Sequence, residues 1–411
     1  MSSTAITADA TLPDAQPSPT SASRSVAEVL VCLPAIAADA LPTVLEAIAS
    51  AFPGEAVLVA SSDPPANASD WPSLELIPYS NARTGVGWVL AVGDYAAAAH
   101  LAVERDARAV ILLGDDTAPI DAPLLRSLAD SVRTKNIDLV LPRFTLGPND
   151  ALVNSGLLYP LSRALFGADI HFPLPIDAAL STRLAQRLAT STQRLMALNQ
   201  GSSLLWPVSE AAAAGLSVRE IPAADIAPPA PPQDDFNALF ATVAVSLFAD
   251  IDAKASFWQR ARGLPKRPSG QASPPPIAAI EASSEIHSMI ETFHLAQDNL
   301  QEVWSLVLPP QSRLALKKLS ELSPDAFVME PDLWARIVYD FTLAFHLRTL
   351  NRNHLLGAMT PLYLAWVASH LRTVSDDPGR AARAVEITAS AFETEKSYIV
   401  SRWRWPDRFN P

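Results

Sequence analysis

The sequence predicts an α/β domain built on a mainly parallel sheet, followed by an all-α C-terminal domain. Between about residues 25 and 225, short apolar runs alternate with longer segments of helical spacing, the pattern of parallel strands joined by crossover helices. Residues 263–277 are dense in Pro, Ser, Gly and Lys and read as a linker. Beyond them the pattern changes: Ile286, Met289, Ile290, Phe293, Leu300, Val303, Trp304 and Val307 recur at helical spacing. The expected organisation is a disordered tail over 1–24, an α/β domain over 25–262, the linker over 263–277 and a helical domain over 278–411.

Val26 to Leu33 reads as the first strand and Leu41 to Phe52 as the helix that returns the chain. Glu55 to Ala60 and Leu74 to Pro78 follow as strands, then a helix between Trp88 and Arg105. The run from Ala109 is a strand, Leu124 to Val132 a helix, and Asp138 to Leu141 and Ser217 to Ile221 are further strands. Ala238 to Trp258 is helical in pattern, and Pro331 opens another helix through Trp334, Ile337, Val338, Phe341 and Phe345. Thr360 and Pro361 suit an N-cap and first-turn proline for the next helix, and Ala382 to Trp403 makes a last one.

With 411 residues, 49% apolar and 18% charged, the chain has material for more than one core. A formal charge of −12 speaks against a broad nucleic-acid surface, which needs clustered Lys and Arg. No run of eighteen uninterrupted apolar residues suggests a membrane span, and the first 24 residues lack the basic start and apolar block of a secretory signal. The lone Cys32 lies in an apolar run, as a buried thiol would, which suits a cytoplasmic protein. Glycine is scarce, 14 against 36 prolines, and this weakens any Gly-rich phosphate cradle.

The most pointed stretch is Ala109-Val-Ile-Leu-Leu-Gly-Asp-Asp-Thr117, a buried strand that ends in Asp115 and Asp116. Open α/β sheets bind ligands beyond the carboxyl ends of their strands, and carboxylates there can hold a divalent cation against a phosphate. The same aspartates would also serve simply to cap the next helix. Asn154, before an apolar segment with Tyr159 and Phe166, and Asp177, after Phe172-Pro-Leu-Pro-Ile176, are further candidates for binding hydroxyls. The histidine pairs His287/His294 and His346/His354 do not have metal-ligand spacing, and no nucleophile elbow or Walker-type loop is present.

The order of segments is familiar. The strand with its Asp-containing turn is followed by Leu141-Pro-Arg143, Asn154, Tyr159-Pro-Leu161, Gly167, Pro173 and Asp177. Then come Trp334-Ala-Arg-Ile-Val-Tyr339, Thr360-Pro-Leu-Tyr363, Phe392-Glu, Lys396, Arg402 and Trp403. Over most of residues 25–405 the chain resembles the glycosyltransferase family of the glucosylglycerate and mannosylglycerate synthase type, with a GT-A nucleotide-sugar domain and a helical C-terminal region. The resemblance implies retaining transfer of a hexose from a nucleotide-diphosphate sugar to a small hydroxy acid such as glycerate, with Mg2+ or Mn2+ bridging the diphosphate. It implies Asp115 and Asp116 at the donor, Asp116 on the metal, and Asn154, Asp177, Arg348, Arg352 and Tyr363 around the acceptor, with Asp177 the candidate for a catalytic role.

The departures are as informative. Gly114 stands where the family has the first aspartate of its metal motif, and Leu90-Ala-Val-Gly93 where it has Gly-Lys-Gly. Pro175-Ile176 replaces a glycine pair; Leu205 and Ala227 fall near an expected Asp and metal-binding His; Trp366 replaces an Arg. Catalysis is therefore expected to be altered or lost. The rival expectation is a non-catalytic relative that binds a sugar, nucleotide or partner. A sugar nucleotidyltransferase fits less well, since Pro34-Ala-Ile-Ala-Ala38 offers no Gly-rich basic loop. Neither reading excludes a homo-oligomer.

Overall fold

The computed structural model describes residues 28–34, 36–62, 70–79, 89–114, 121–145, 147, 149–198, 200, 203–223, 236–261, 284–374 and 378–406. Asp115, Asp116, the 1–24 tail and the 263–277 linker lie outside the described residues.

The α/β part runs β1 (Val29–Leu33), α1 (Leu41–Ala51), β2 (Val57–Ser61), β3 (Leu74–Pro78), α2 (Val92–Glu104), β4 (Ala109–Leu112), α3 (Ala122–Arg133) and β5 (Leu139–Arg143). Next comes α4 (Tyr159–Leu161), set between π-helical turns over Asn154–Leu158 and Ser162–Phe166. β6 (Ala178–Ser181), α5 (Thr182–Ala197), α6 (Pro207–Ala213), β7 (Val218–Pro222), α7 (Phe236–Ala253) and α8 (Ala255–Trp258) complete it. The strands form one seven-stranded sheet in the order β3-β2-β1-β4-β6-β5-β7. Only β6 is antiparallel to its neighbours; the remaining pairings are parallel.

The central strands are apolar without alternation because both faces are covered. Every residue of β1, β2 and β4 is buried, whereas the edge strands β3 and β7 each expose two residues, Glu75 and Pro78 in the one and Arg219 and Pro222 in the other. On one face Leu30, Leu58, Val110 and Leu180 pack under α2 and α5; on the other Val31, Val59, Ile111 and Val140 pack under α1 and α3. Cys32 is fully buried on β1, and burial pushes its thiol pKa well up, so it behaves as a core side chain.

The C-terminal region is helical throughout its described length: α9 (Ser284–Asn299), α10 (Gln301–Val307), α11 (Pro310–Ser320), α12 (Pro331–Leu347), α13 (Arg352–Val374), α14 (Pro378–Thr394) and α15 (Lys396–Arg404). Its core is continuous with that of the preceding segments. Leu157 and Leu161 on the π/α4 helix and Phe240 and Phe248 on α7 share one hydrophobic cluster with Phe293, Trp334, Tyr363 and Phe392. α7 is long and apolar enough to cross a membrane, with a mean hydropathy of 1.4 over 18 residues. Its Phe240, Val243, Leu247, Phe248 and Ile251 are buried in the shared core, so the same composition serves a core helix.

Two expectations are corrected, and further elements appear that the sequence does not announce. Pro361 does not open a helix: it lies inside the 23-residue α13, and Thr360 Oγ1 donates back to the Leu356 carbonyl at 3.0 Å instead of capping. A mid-helix proline costs roughly 3 kcal/mol; burial of Leu355, Met359, Leu362, Tyr363 and Trp366 along the same helix offsets it. The last helical stretch is broken between Thr394 and Lys396, where Arg336 donates to both Glu395 carboxylate oxygens at 2.9 Å. Finally, β6 and α5 had no sequence-level forecast, because the β6 segment Ala-Ala-Leu-Ser is short and poor in β-branched residues.

Candidate functional site

The strand order reverses between β1 and β4: β2 and β3 lie to one side of β1, and β4 leads to the other side. The crevice beyond the carboxyl ends of such a pair is where open α/β sheets receive ligands. Asp177, immediately before β6, sits at this edge. Its Oδ1 accepts from the Gly114 amide at 3.0 Å, which ties the loop before β6 to the residue that precedes Asp115 and Asp116.

Gly114 is required at that junction. A Cβ there would lie 2.5 Å from the Ile176 carbonyl oxygen and 3.0 Å from Ile176 Cγ2, so the position carries no side chain while the loop keeps this path. The absence of a side chain at 114 is what permits the close approach of Ile176. Leu90 and Val92 are fully buried, so the segment that lacks the Gly-Lys-Gly pattern is part of the core under the edge.

Asp177 is half-buried. Burial raises its carboxyl to about 6, against the opposing pull of the Gly114 amide. Because the folded-state value lies above the unfolded one, the folded state takes up the proton more readily. The stability this contributes is present below about pH 4 and is lost as pH rises through about 6. An NMR titration should place the Asp177 carboxyl inflection near 6, and Asp177→Asn should flatten the stability profile between pH 4 and 7. An inflection at the ordinary aspartate value would refute this.

Asn154 is directed elsewhere. Its Nδ2 donates to the His171 carbonyl, which anchors the start of the loop that ends at Asp177. His171 is itself held twice, with Nδ1 2.9 Å from Glu220 Oε2 on β7 and Nε2 3.4 Å from Glu386 Oε1 on α14. Carboxylates only accept, so the two contacts are satisfied together when both ring nitrogens carry protons, which favours the imidazolium. Burial works against that charge, but the bonds to Glu220 and Glu386 outweigh it and raise its pKa.

Tyr159 stacks on the His171 ring at 4.3 Å, and its hydroxyl lies 2.9 Å from Asp169 Oδ1 and 2.8 Å from Glu386 Oε1. Arg163, one turn on, reaches Glu386 at 2.6 Å and Glu393 at 3.1 Å. Burial alone would raise Glu386; the bonds from His171, Arg163 and Tyr159 instead hold it down at about 2. This network fastens the 167–177 loop between the sheet and α14. Sequence reading missed it as a unit, although the Tyr159/Arg163 and Glu386/Glu393 spacings of four and seven place each pair on one helix face.

The other candidates lie apart from Asp177. Tyr363 is buried, its ring 4.8 Å from Phe240 and 6.0 Å from Trp366, so it belongs to the helical core. Arg348 caps α12 in the left-handed region with φ 53°, and Arg352 lies over the Phe345 ring at 5.0 Å. Both line a cavity of about 510 Å³ at the α12–α13 turn. Among the described residues no hydrogen bond or ring contact joins either arginine or Tyr363 to Asp177. Trp403 packs between Trp258 and His346, at 5.1 and 4.1 Å, as closure of the last helix. No group of three His, Cys, Asp or Glu side chains among the described residues is placed to hold a metal.

Neither a protein-family model nor a curated protein matches the chain. Among solved structures it is similar to glucosyl-3-phosphoglycerate synthase from Mycobacterium tuberculosis. The complex of that protein with Mn2+, UDP and glucosyl-3-phosphoglycerate aligns at 16% identity over 55% of this chain and 80% of that one, with a TM-score of 0.35. Its complex with Mn2+, UDP-glucose and phosphoglyceric acid aligns at 15% identity over 55% and 79%, with a TM-score of 0.36.

Proposed function

We propose that the chain is a glycosyltransferase-like protein of GT-A type that binds a nucleotide-diphosphate sugar at the carboxyl edge of β1 and β4, for hexose transfer to a small hydroxy acid such as glycerate. The observation that carries this reading is the Asp177 carboxylate, bonded to the Gly114 amide at the point where the strand order reverses and where Asp115 and Asp116 follow in sequence. The sequence resemblance supplies the substrate class.

In this reading Asp115 and Asp116 face the donor, Asp116 would hold Mg2+ or Mn2+, and Asp177 receives the transferred sugar's hydroxyls or the acceptor. One or two carboxylates suffice for such an ion when phosphate oxygens complete its shell. When bound, it neutralises charge developing on the leaving diphosphate. The residues' own contribution is positional. The Gly114 bond fixes Asp177, and the Asn154–His171 anchor fixes the loop that carries it.

A second reading, a binding module without transfer, is favoured by Gly114, where packing against Ile176 leaves no room for a first metal-motif aspartate. Thermal shift with a panel of nucleotide sugars, with and without Mg2+ or Mn2+, separates these. Donor transfer predicts a metal-dependent rise in Tm that Asp116→Ala abolishes, with product formed when hydroxy acids are added. A shift without product supports a sugar- or nucleotide-binding module; no shift with any donor sinks donor-dependent transfer and favours a module that binds a partner.

A further inference from the structure

Between the carboxyl end of β5 and the facing sides of α13 and α14 lies a cavity of about 270 Å³ that Asp177 does not line. His370 on α13 forms part of its wall. This side chain is only 6% exposed, its ring stacks on Trp366 at 5.1 Å, and it has no hydrogen-bond partner among the described residues. Buried polar groups are ordinarily satisfied, so an imidazole left open to a cavity points to a ligand or water there. Ser155, 2% exposed on the same wall, has a hydroxyl in the same condition.

The lining also limits the charge of what enters. The lining holds two cations, Arg143 and His171, and two anions, Asp150 and Glu386, with His171 and Glu386 3.4 Å apart, so its formal charge sums to zero. Burial drives His370 down to about 4, leaving it neutral with one nitrogen that donates and one that accepts. A serine hydroxyl has the same dual capacity, and dual groups best match hydroxyls, which also do both. Phe144 and Phe172, edge to face at 5.1 Å, add an apolar wall of the kind that packs on the C–H face of a sugar ring. The volume falls just below the range of about 300–1,000 Å³ for drug-sized ligands.

We propose that this cavity binds a neutral polyol of monosaccharide size, held through its hydroxyls by His370 and Ser155. The site is separate from the donor edge, which it adjoins through the loop from Phe172 to Asp177.

The test is ligand-observed NMR and calorimetry on the full chain with glucose, mannose and glycerol, with glucuronate as the charged control. Saturable binding of a neutral sugar is expected, weakened about tenfold in Ser155→Ala and in His370→Phe. Ala382→Trp, at an exposed lining position on α14, should block the cavity without touching either polar group and guards against a folding defect in the other variants. Donor-induced thermal shifts should survive Ala382→Trp, which keeps this outcome distinct from that of the donor edge. Absence of saturable binding, binding indifferent to His370→Phe and Ala382→Trp, or preference for glucuronate would each overturn the proposal.

Discussion

Replacing Arg402 by Met is expected to cost the protein about 3–5 kcal/mol of stability at neutral pH. Arg402 on α15 pairs through Nη1 with Asp340 Oδ1 on α12, and neither side chain is more than 5% exposed. Tyr398 adds a hydrogen bond to the same oxygen at 2.7 Å, while Asp340 Oδ2 has no partner among the described residues. Removing the guanidinium takes away the main group that holds the Asp340 carboxyl down, so at neutral pH the folded variant must take up a proton there and loses the paired, twice-bonded geometry. Burial already lifts Asp340 to about 7 despite Arg402 and Tyr398. Its contribution to stability is therefore present below about pH 4 and lost as pH rises through 7, and the variant's loss should shrink on acidification as the carboxyl takes up a proton. Urea denaturation across pH 4–8 reads both effects. The double variant Asp340→Leu/Arg402→Met should regain most of the loss, since a buried pair is often matched by apolar groups of similar volume. A single-variant loss below about 1 kcal/mol would mean that water reaches the pair.

The second large effect has the opposite sign from ordinary helix chemistry. Gly to Ala within a helix commonly adds about 0.5–1 kcal/mol. Gly156→Ala is expected to subtract about 1–3 kcal/mol. A Cβ at 156 would lie 2.4 Å from the Trp366 ring, which is stacked against Trp334 at 5.9 Å and His370 at 5.1 Å. Trp334 is pinned too, its indole donating to the Gly156 carbonyl at 2.7 Å. Neither ring can give way without loosening the contact between the π/α4 helix and α12. Gly357→Ala on α13 is the control: open space surrounds the added methyl, so that variant should be stabilised. Denaturant midpoints measure both, and a gain in Gly156→Ala would refute the packing argument.

These cases mark what sequence could and could not reveal. Leu74–Pro78 was legible to the residue, since a β-branched and leucine-rich run bounded by prolines leaves little choice. That an apolar, non-helical segment ends at Asp177 was legible for a similar reason, since Phe-Pro-Leu-Pro-Ile cannot be helical. The His171 network was not, because its bonds join residues 49 and 223 positions apart and no local pattern encodes such a meeting. Asn154, expected at the acceptor, donates to the His171 backbone carbonyl, a partner that no local pattern names. Pro361 misled because propensity is a weak constraint beside the burial of a 23-residue helix.

The contact between Gly114 and Ile176 also constrains how this chain can change. An aspartate introduced at 114 meets a backbone oxygen, which no rotamer choice can avoid. It becomes tolerable only once the 175–176 segment has been made pliant enough to draw back, and that withdrawal would loosen the Gly114 bond to Asp177. The two positions are thus coupled: an aspartate at 114 requires that the 175–176 segment change with it. The proline and isoleucine before Asp177 thereby hold position 114 to glycine.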